Sequence, residues 1–204
     1  MGIILKSEFI YETLDIIRES LISNQFKDVE GAKIELKDLS TGDKWTSLNE
    51  TICAYLNTDG GIIICGIRER NNKYTLTGFD RNNEGKIIAL QTNNFKDDSG
   101  KTLDLSKFIH FDYERIENTE VLIIVVKPLD ADLKFVSYNG KYYERKLTQD
   151  KIIPKPKIQQ QKEYKLDLAY AKEITIIENA SLKDLSLEKI NYYINLAGGG
   201  QILI

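Results

Sequence analysis

A chain of 204 residues with 42% hydrophobic and 29% charged side chains carries enough apolar surface for one sizeable core and an appendage. Its formal net charge of -3 argues against a uniformly basic surface, so any polyanion has to be met by a local patch. Two cysteines and one histidine offer no zinc spacing, and no apolar run reaches membrane-spanning length; a cytoplasmic protein with reduced thiols is expected.

Lys6 and Glu8 interrupt the opening apolar run, so a secretory signal is not expected there. Residues 8–24 read as a helix, with Phe9, Ile10, Leu14, Ile17, Leu21 and Ile22 at three- and four-residue spacings forming one stripe. Residues 29–37 alternate as a strand does: Ala32, Ile34 and Leu36 on one face, Lys33, Glu35 and Lys37 on the other. Residues 44–56 form a second helix with Trp45, Leu48, Ile52, Tyr55 and Leu56 on its buried face, stopped at Asn57-Thr58-Asp59-Gly60-Gly61. Residues 62–67 are β-branched and apolar on both faces, which predicts a central strand. Asn71-Asn72 turns it into a hairpin partner at 73–79. A short helix is expected at 84–92, and strands at 107–114 and 120–127. Asn139-Gly140 predicts a hairpin between 135–138 and 141–145, and 148–153 starts a short helix. Pro154-Lys155-Pro156 and the glutamines at 159–161 predict a polar linker, followed by a helix at 185–196 and a glycine-rich end. Cys53 and Cys65 sit in apolar runs and are expected as buried free thiols. The pattern is α+β: a mixed sheet with packed helices, a domain over 1–153 with its motif core at 28–150, and a linker with a short helical tail over 154–204.

Three segments occur in a distinctive order. They are Glu30-x-x-x-x-Glu35-Leu36-Lys37, then Ala54-Tyr55-Leu56-Asn57-Thr58-Asp59-Gly60-Gly61 running through Cys65-Gly66-Ile67 to Gly78, then Tyr142-Tyr143-Glu144-Arg145. This set resembles the Schlafen-type AlbA domain, also called divergent AlbA. The sequence departs from that pattern at Leu36, where the family usually has Phe, and at Leu56, commonly Ala; both are apolar changes that a core absorbs. The glycine pair reads as backbone geometry at a helix-to-strand turn, and Asn57 as a cap or a fixed turn.

The resemblance implies catalytic acids at Glu30, Glu35 and Glu69 with Lys37 beside them, a carboxylate set suited to Mg2+ or Mn2+. An extended strand holds Glu30 and Glu35 on the order of 16 Å apart. Such a site therefore requires a bend near Gly31. Arg68 and Arg70 flank Glu69 and either pair with it or grip nucleic acid. Residues 141–165 concentrate eight lysines and arginines against three carboxylates. Lys37, Arg68, Arg70, Tyr143, Arg145, Lys146 and Lys151 are the nucleic-acid-contacting candidates, Arg145 foremost because the resemblance also points to it. The leading reading is a nucleic-acid-binding domain, DNA first, in a transcriptional regulator. The alternatives are a Mg2+- or Mn2+-dependent endoribonuclease and an inert protein-interaction module, with a second copy of the chain as the other partner considered. No phosphate-binding loop of the G-x4-G-K-[ST] type occurs, so nucleotide hydrolysis is not expected.

Overall fold

A computed structural model describes residues 8–40 and 44–173. The first helix, α1, spans Glu8–Ser23 and buries Ile10, Thr13, Leu14 and Ile17. Phe9 and Ile22 do not join that stripe and are 46% and 80% exposed. At 3.6 residues per turn they lie about 100° or more to either side of the line through Ile10, Leu14 and Ile17. The expected strand at 29–37 is shorter: β1 is Ile34–Lys37. Before it the chain turns, and the Gly31 N–H donates to the Ile34 carbonyl at 3.0 Å. Helix α2 covers Lys44–Asn57, strand β2 Gly61–Cys65, and β3 Ile67–Glu69, which pairs through the Asn71-Asn72 turn with β4, Tyr74–Leu76. Gly66 separates β2 from β3, so the predicted single strand at 62–67 is two strands in two sheets. Helix α3 is Glu84–Thr92 and β5 is Phe95–Lys96. The long pair β6, Ile109–Ile116, and β7, Thr119–Val126, follows as expected.

The main sheet has the order β1-β2-β7-β6, with β1 parallel to β2 and the other pairs antiparallel. Alternation on the central strands sends Ile62, Ile64, Val121 and Ile123 toward α1, and Ile63, Cys65, Leu122, Ile124 and Val126 toward α2 and α3. Helices therefore cover both faces, which is why β2 and β7 are apolar without interruption. Cys53 and Cys65 are buried and unpaired, as expected. Burial pushes the Cys53 thiol up to about 12.

The C-terminal third departs from expectation. Asn139 and Gly140 do adopt positive φ (49° and 71°), but their turn closes only the Tyr138–Lys141 bridge. Strand β8, Ser137–Tyr138, pairs with β5 instead. Strand β9, Tyr143–Lys146, pairs with β10, Gln149–Ile152, where a helix was expected. The two-residue turn Leu147-Thr148 between them contains no Gly, Asn or Asp, so the sequence carries no turn signal there. The expected linker is a helix, α4, Lys155–Glu173. Pro156 falls in its first turn, where a missing N–H is tolerated. The chain divides into two compact units, Met1–Glu163 and Tyr164–Ile204. The expected helix at 185–196 and the glycine-rich end lie outside the described residues. No helix among the described residues is long and apolar enough to cross a membrane.

Candidate functional site: a carboxylate cleft and a basic hairpin

Glu35 and Lys37 share the face of β1 turned toward α2, as the strand period dictates, and their side chains are 13% and 12% exposed. They meet directly, Lys37 Nζ to Glu35 Oε1 at 2.6 Å, and Lys37 also donates to Ser47 Oγ on α2 at 3.0 Å. The turn before β1 brings Glu30 back, so that its Oε1 accepts the Leu36 N–H at 3.0 Å. Glu69 arrives from β3. All three glutamates line one cleft of about 510 Å³, together with Lys37, Asp38, Lys44, Ser47, Arg68 and Arg70. The bend anticipated near Gly31 is present, although Gly31 itself has no positive φ and a Cβ there would meet nothing within 4 Å. Burial, then the charges of Glu35 and Glu69, raise the Glu30 carboxyl above its ordinary value against the Leu36 hydrogen bond.

Neither flanking arginine takes Glu69. Arg68 pairs with Asp38 at 2.6 Å. Burial of Asp38 opposes its ionisation, but hydrogen bonds from Ser40 and Arg68 prevail and hold its carboxyl down to about 2. Arg70 and Lys44 are exposed and form no ion pair among the described residues.

Arg145 is not on the surface. Its side chain is 3% exposed. One nitrogen donates to Glu35 Oε2 at 2.6 Å and to the Gly31 carbonyl at 3.1 Å, and another donates to Asp150 Oδ1 at 2.9 Å. Its guanidinium also lies 5.3 Å from the centre of the Tyr55 ring. Thr51 Oγ1 donates to the other oxygen of Asp150 at 2.6 Å. Tyr143 is buried as well and donates its hydroxyl to Glu50 at 2.7 Å. Both expected nucleic-acid contacts are thus internal, because β9 lays its odd-numbered residues against α2. Lys146 and Lys151 do remain exposed.

Three carboxylates around one cleft are the right chemistry for a hard cation. However, both oxygens of Glu35 are engaged by cations, Lys37 and Arg145. No group of three His, Cys, Asp or Glu side chains among the described residues is placed to hold a metal ion. The residues as arranged do not fit a resident Mg2+ or Mn2+.

The other face of the hairpin differs. Glu144, Lys146, Gln149 and Lys151 are cross-strand neighbours there. Glu144 is buried, with its side chain 4% exposed, and is tied to Lys146 at 3.0 Å and to Lys157 in the first turn of α4. From residue 143 to 158 the carboxylates are Glu144 and Asp150: Asp150 is turned inward to Arg145, and Glu144 is buried on the outer face by Lys146 and Lys157. Lys146, Lys151, Lys155 and Lys157 are exposed. Ser47, Thr51, Tyr55, Asp150 and Asn57 did not stand out as site residues in the sequence. Ser47, Thr51 and Tyr55 nonetheless fall at i, i+4 and i+8 on α2, a hydroxyl stripe that was legible there.

A family model for the Schlafen AlbA_2 domain matches residues 30–154, well over half of the chain. The chain belongs to the Schlafen AlbA_2 family. The matched segment opens on Glu30 and closes just after β10, so the cleft and the hairpin lie within the AlbA_2 domain. Among solved structures, the N-terminal domain of a RecG-related protein from Nitrosomonas europaea is 21% identical, with a TM-score of 0.45, covering 68% of this chain and 91% of that one. The DIP2311 protein from Corynebacterium diphtheriae is 15% identical, with a TM-score of 0.43, covering 78% of this chain and 29% of that one. No curated protein sequence matches the chain.

Proposed function

We propose that this AlbA_2 domain is a DNA-binding module, serving a transcriptional regulator, and that it grips phosphates with the outer face of the β9–β10 hairpin and the start of α4. One observation carries the reading: four exposed lysines are gathered where Asp150 is turned inward and the other neighbouring carboxylate, Glu144, is buried beneath Lys146 and Lys157. That gives a basic patch on a chain of net charge -3. The cleft offers no such excess, because Lys37, Lys44, Arg68 and Arg70 face Glu30, Glu35, Asp38 and Glu69. Arg70 and Lys44 at its rim supply secondary contacts. Arg145 and Tyr143 act from inside, fixing the hairpin on α2. The endoribonuclease reading would require Glu35 to leave both Lys37 and Arg145.

Lys151 and Lys155 make no ion pair among the described residues, so replacing them leaves the fold intact. Lys146 and Lys157 are poorer probes because they neutralise buried Glu144. Duplex DNA and RNA of matching sequence are titrated by fluorescence anisotropy across a salt series. Lys151→Ala with Lys155→Ala is expected to weaken binding and to flatten the log–log salt slope by roughly 0.9 for each phosphate that is no longer neutralised. Absence of binding by the wild type at low salt would overturn the proposal, and tighter binding to RNA would overturn its DNA assignment.

A further inference from the structure

The tip of the β9–β10 hairpin has two unfavourable features at one residue. Leu147 has φ of 55°, in the left-handed region that disfavours a side chain with a Cβ. The other turns of this chain that need such a residue use Asn24, Asn71, Asn72, Asn139 and Glu117; Leu147 is the apolar exception among the described residues. Leu147 is also 80% exposed, so burial inside the domain does not offset the strain. Asparagine would serve the turn better, which makes the turn itself a poor reason for leucine.

The hairpin beneath the tip is rigidly seated. Arg145 and Asp150 are a cross-strand pair in β9 and β10, bonded to each other at 2.9 Å, and they are anchored to Glu35 and Thr51. The leucine is therefore presented outward on a fixed ribbon. Beside it Lys146 and Lys151 are exposed on the outer face, where the one carboxylate, Glu144, is buried beneath Lys146 and Lys157. A single apolar side chain flanked by ammonium groups fits a polyanion with an apolar interior reached between its charges. A DNA duplex has that character, with phosphates outside and stacked bases within; a two-stranded ribbon fits a groove, and apolar residues wedge between base steps.

We infer that Leu147 is a wedge that enters a DNA base step while Lys146 and Lys151 hold the flanking phosphates. This rests on the DNA-binding reading above and adds an interaction with bases and a deformation of the duplex. The test compares the full-length wild type with Leu147→Asn on a short duplex carrying 2-aminopurine, whose fluorescence rises when its base is unstacked. The wild type is expected to bind and to raise the fluorescence. Leu147→Asn is expected to bind more weakly by on the order of 10- to 100-fold, the value of one leucine's burial, and to leave the fluorescence unchanged. Its melting temperature should equal or exceed that of the wild type, since asparagine accepts the turn. No binding by the wild type would overturn the DNA-binding reading and the wedge with it. Binding and fluorescence retained in Leu147→Asn would overturn the wedge alone. A lower melting temperature, or loss of self-association or of a protein partner with DNA affinity intact, would assign the tip to the fold or to a protein interface and overturn the wedge.

Discussion

Glu30 carries its charge where water is partly excluded and where Glu35 and Glu69 face the same cleft. Its carboxyl is raised above the ordinary value of 4.5, so ionisation at neutral pH disfavours the folded state. The folded protein then binds the proton more readily than the unfolded chain, and stability falls as pH rises through the raised value. Glu30→Gln removes the charge and keeps an oxygen to accept the Leu36 N–H. This variant should be more stable than the wild type at neutral pH. The difference should shrink as pH drops through the titration of Glu30 and vanish below its ordinary value. Paired thermal melts across pH check this, and a Glu30→Gln protein less stable than the wild type at pH 7 would refute it. The glycine pair at 60–61 belongs to architecture, as its place at a helix-to-strand turn suggested. A Cβ on Gly60, at φ of 69°, would stand 2.4 Å from the Val126 carbonyl, and one on Gly61 would stand 2.5 Å from the Tyr55 ring.

Among the elements, α2 organises the molecule through both its ends and its sides. Its last residue, Asn57, is neither a surface cap nor a ligand. Its amide donates to the carbonyls of Val136 and Tyr143 at 2.8 and 3.0 Å, and its oxygen accepts the Val136 N–H at 2.8 Å. One side chain thus satisfies buried backbone on both sides of the Asn139-Gly140 turn and sets the start of β9. Asn57→Ala would remove these partners from the Tyr143 carbonyl and the Val136 N–H and leave the Val136 carbonyl only the weak Cys53 thiol donor at 3.4 Å, at a cost of roughly 3 kcal/mol. Urea denaturation should show that destabilisation, and a change below about 1 kcal/mol would mean the segment finds other partners. At the sheet edge, β6 is blunted by side chains. Gln91 donates to the Ile109 carbonyl at 2.7 Å, Arg18 donates to the Arg115 carbonyl at 3.1 Å, and Asp112 accepts the Tyr113 N–H at 2.9 Å. These occupy backbone groups that would otherwise pair with another strand.

For the whole molecule, the network Glu35–Arg145–Asp150–Thr51 links the cleft to the hairpin. It neutralises Glu35 from within the protein and leaves little need for a divalent cation. Adding Mn2+ should therefore shift the melting temperature by no more than about 1 °C. A larger rise that disappears in Glu35→Gln would show a metal site and reopen the endoribonuclease reading. Local pattern alone determined the helices α1, α2 and α3, the strands β2, β6 and β7, the burial of both cysteines and the family motif. Each depends on a period or a turn residue that acts within a few positions of itself. That Glu35 and Lys37 share one face was equally legible, because it follows from the strand period of two. Only the tertiary structure decided that Arg145 and Tyr143 are internal, that Asp150 turns inward while Glu144 is buried beneath lysines, and that Leu147 stands exposed at a tip. Those outcomes depend on how β9 and β10 meet α2, a choice of partners 93 to 110 residues apart in the chain for Tyr143–Glu50, Thr51–Asp150 and Arg145–Glu35. A basic residue reads alike in sequence whether it faces water or a buried carboxylate. Which it does is settled by the packing that brings the carboxylate to it.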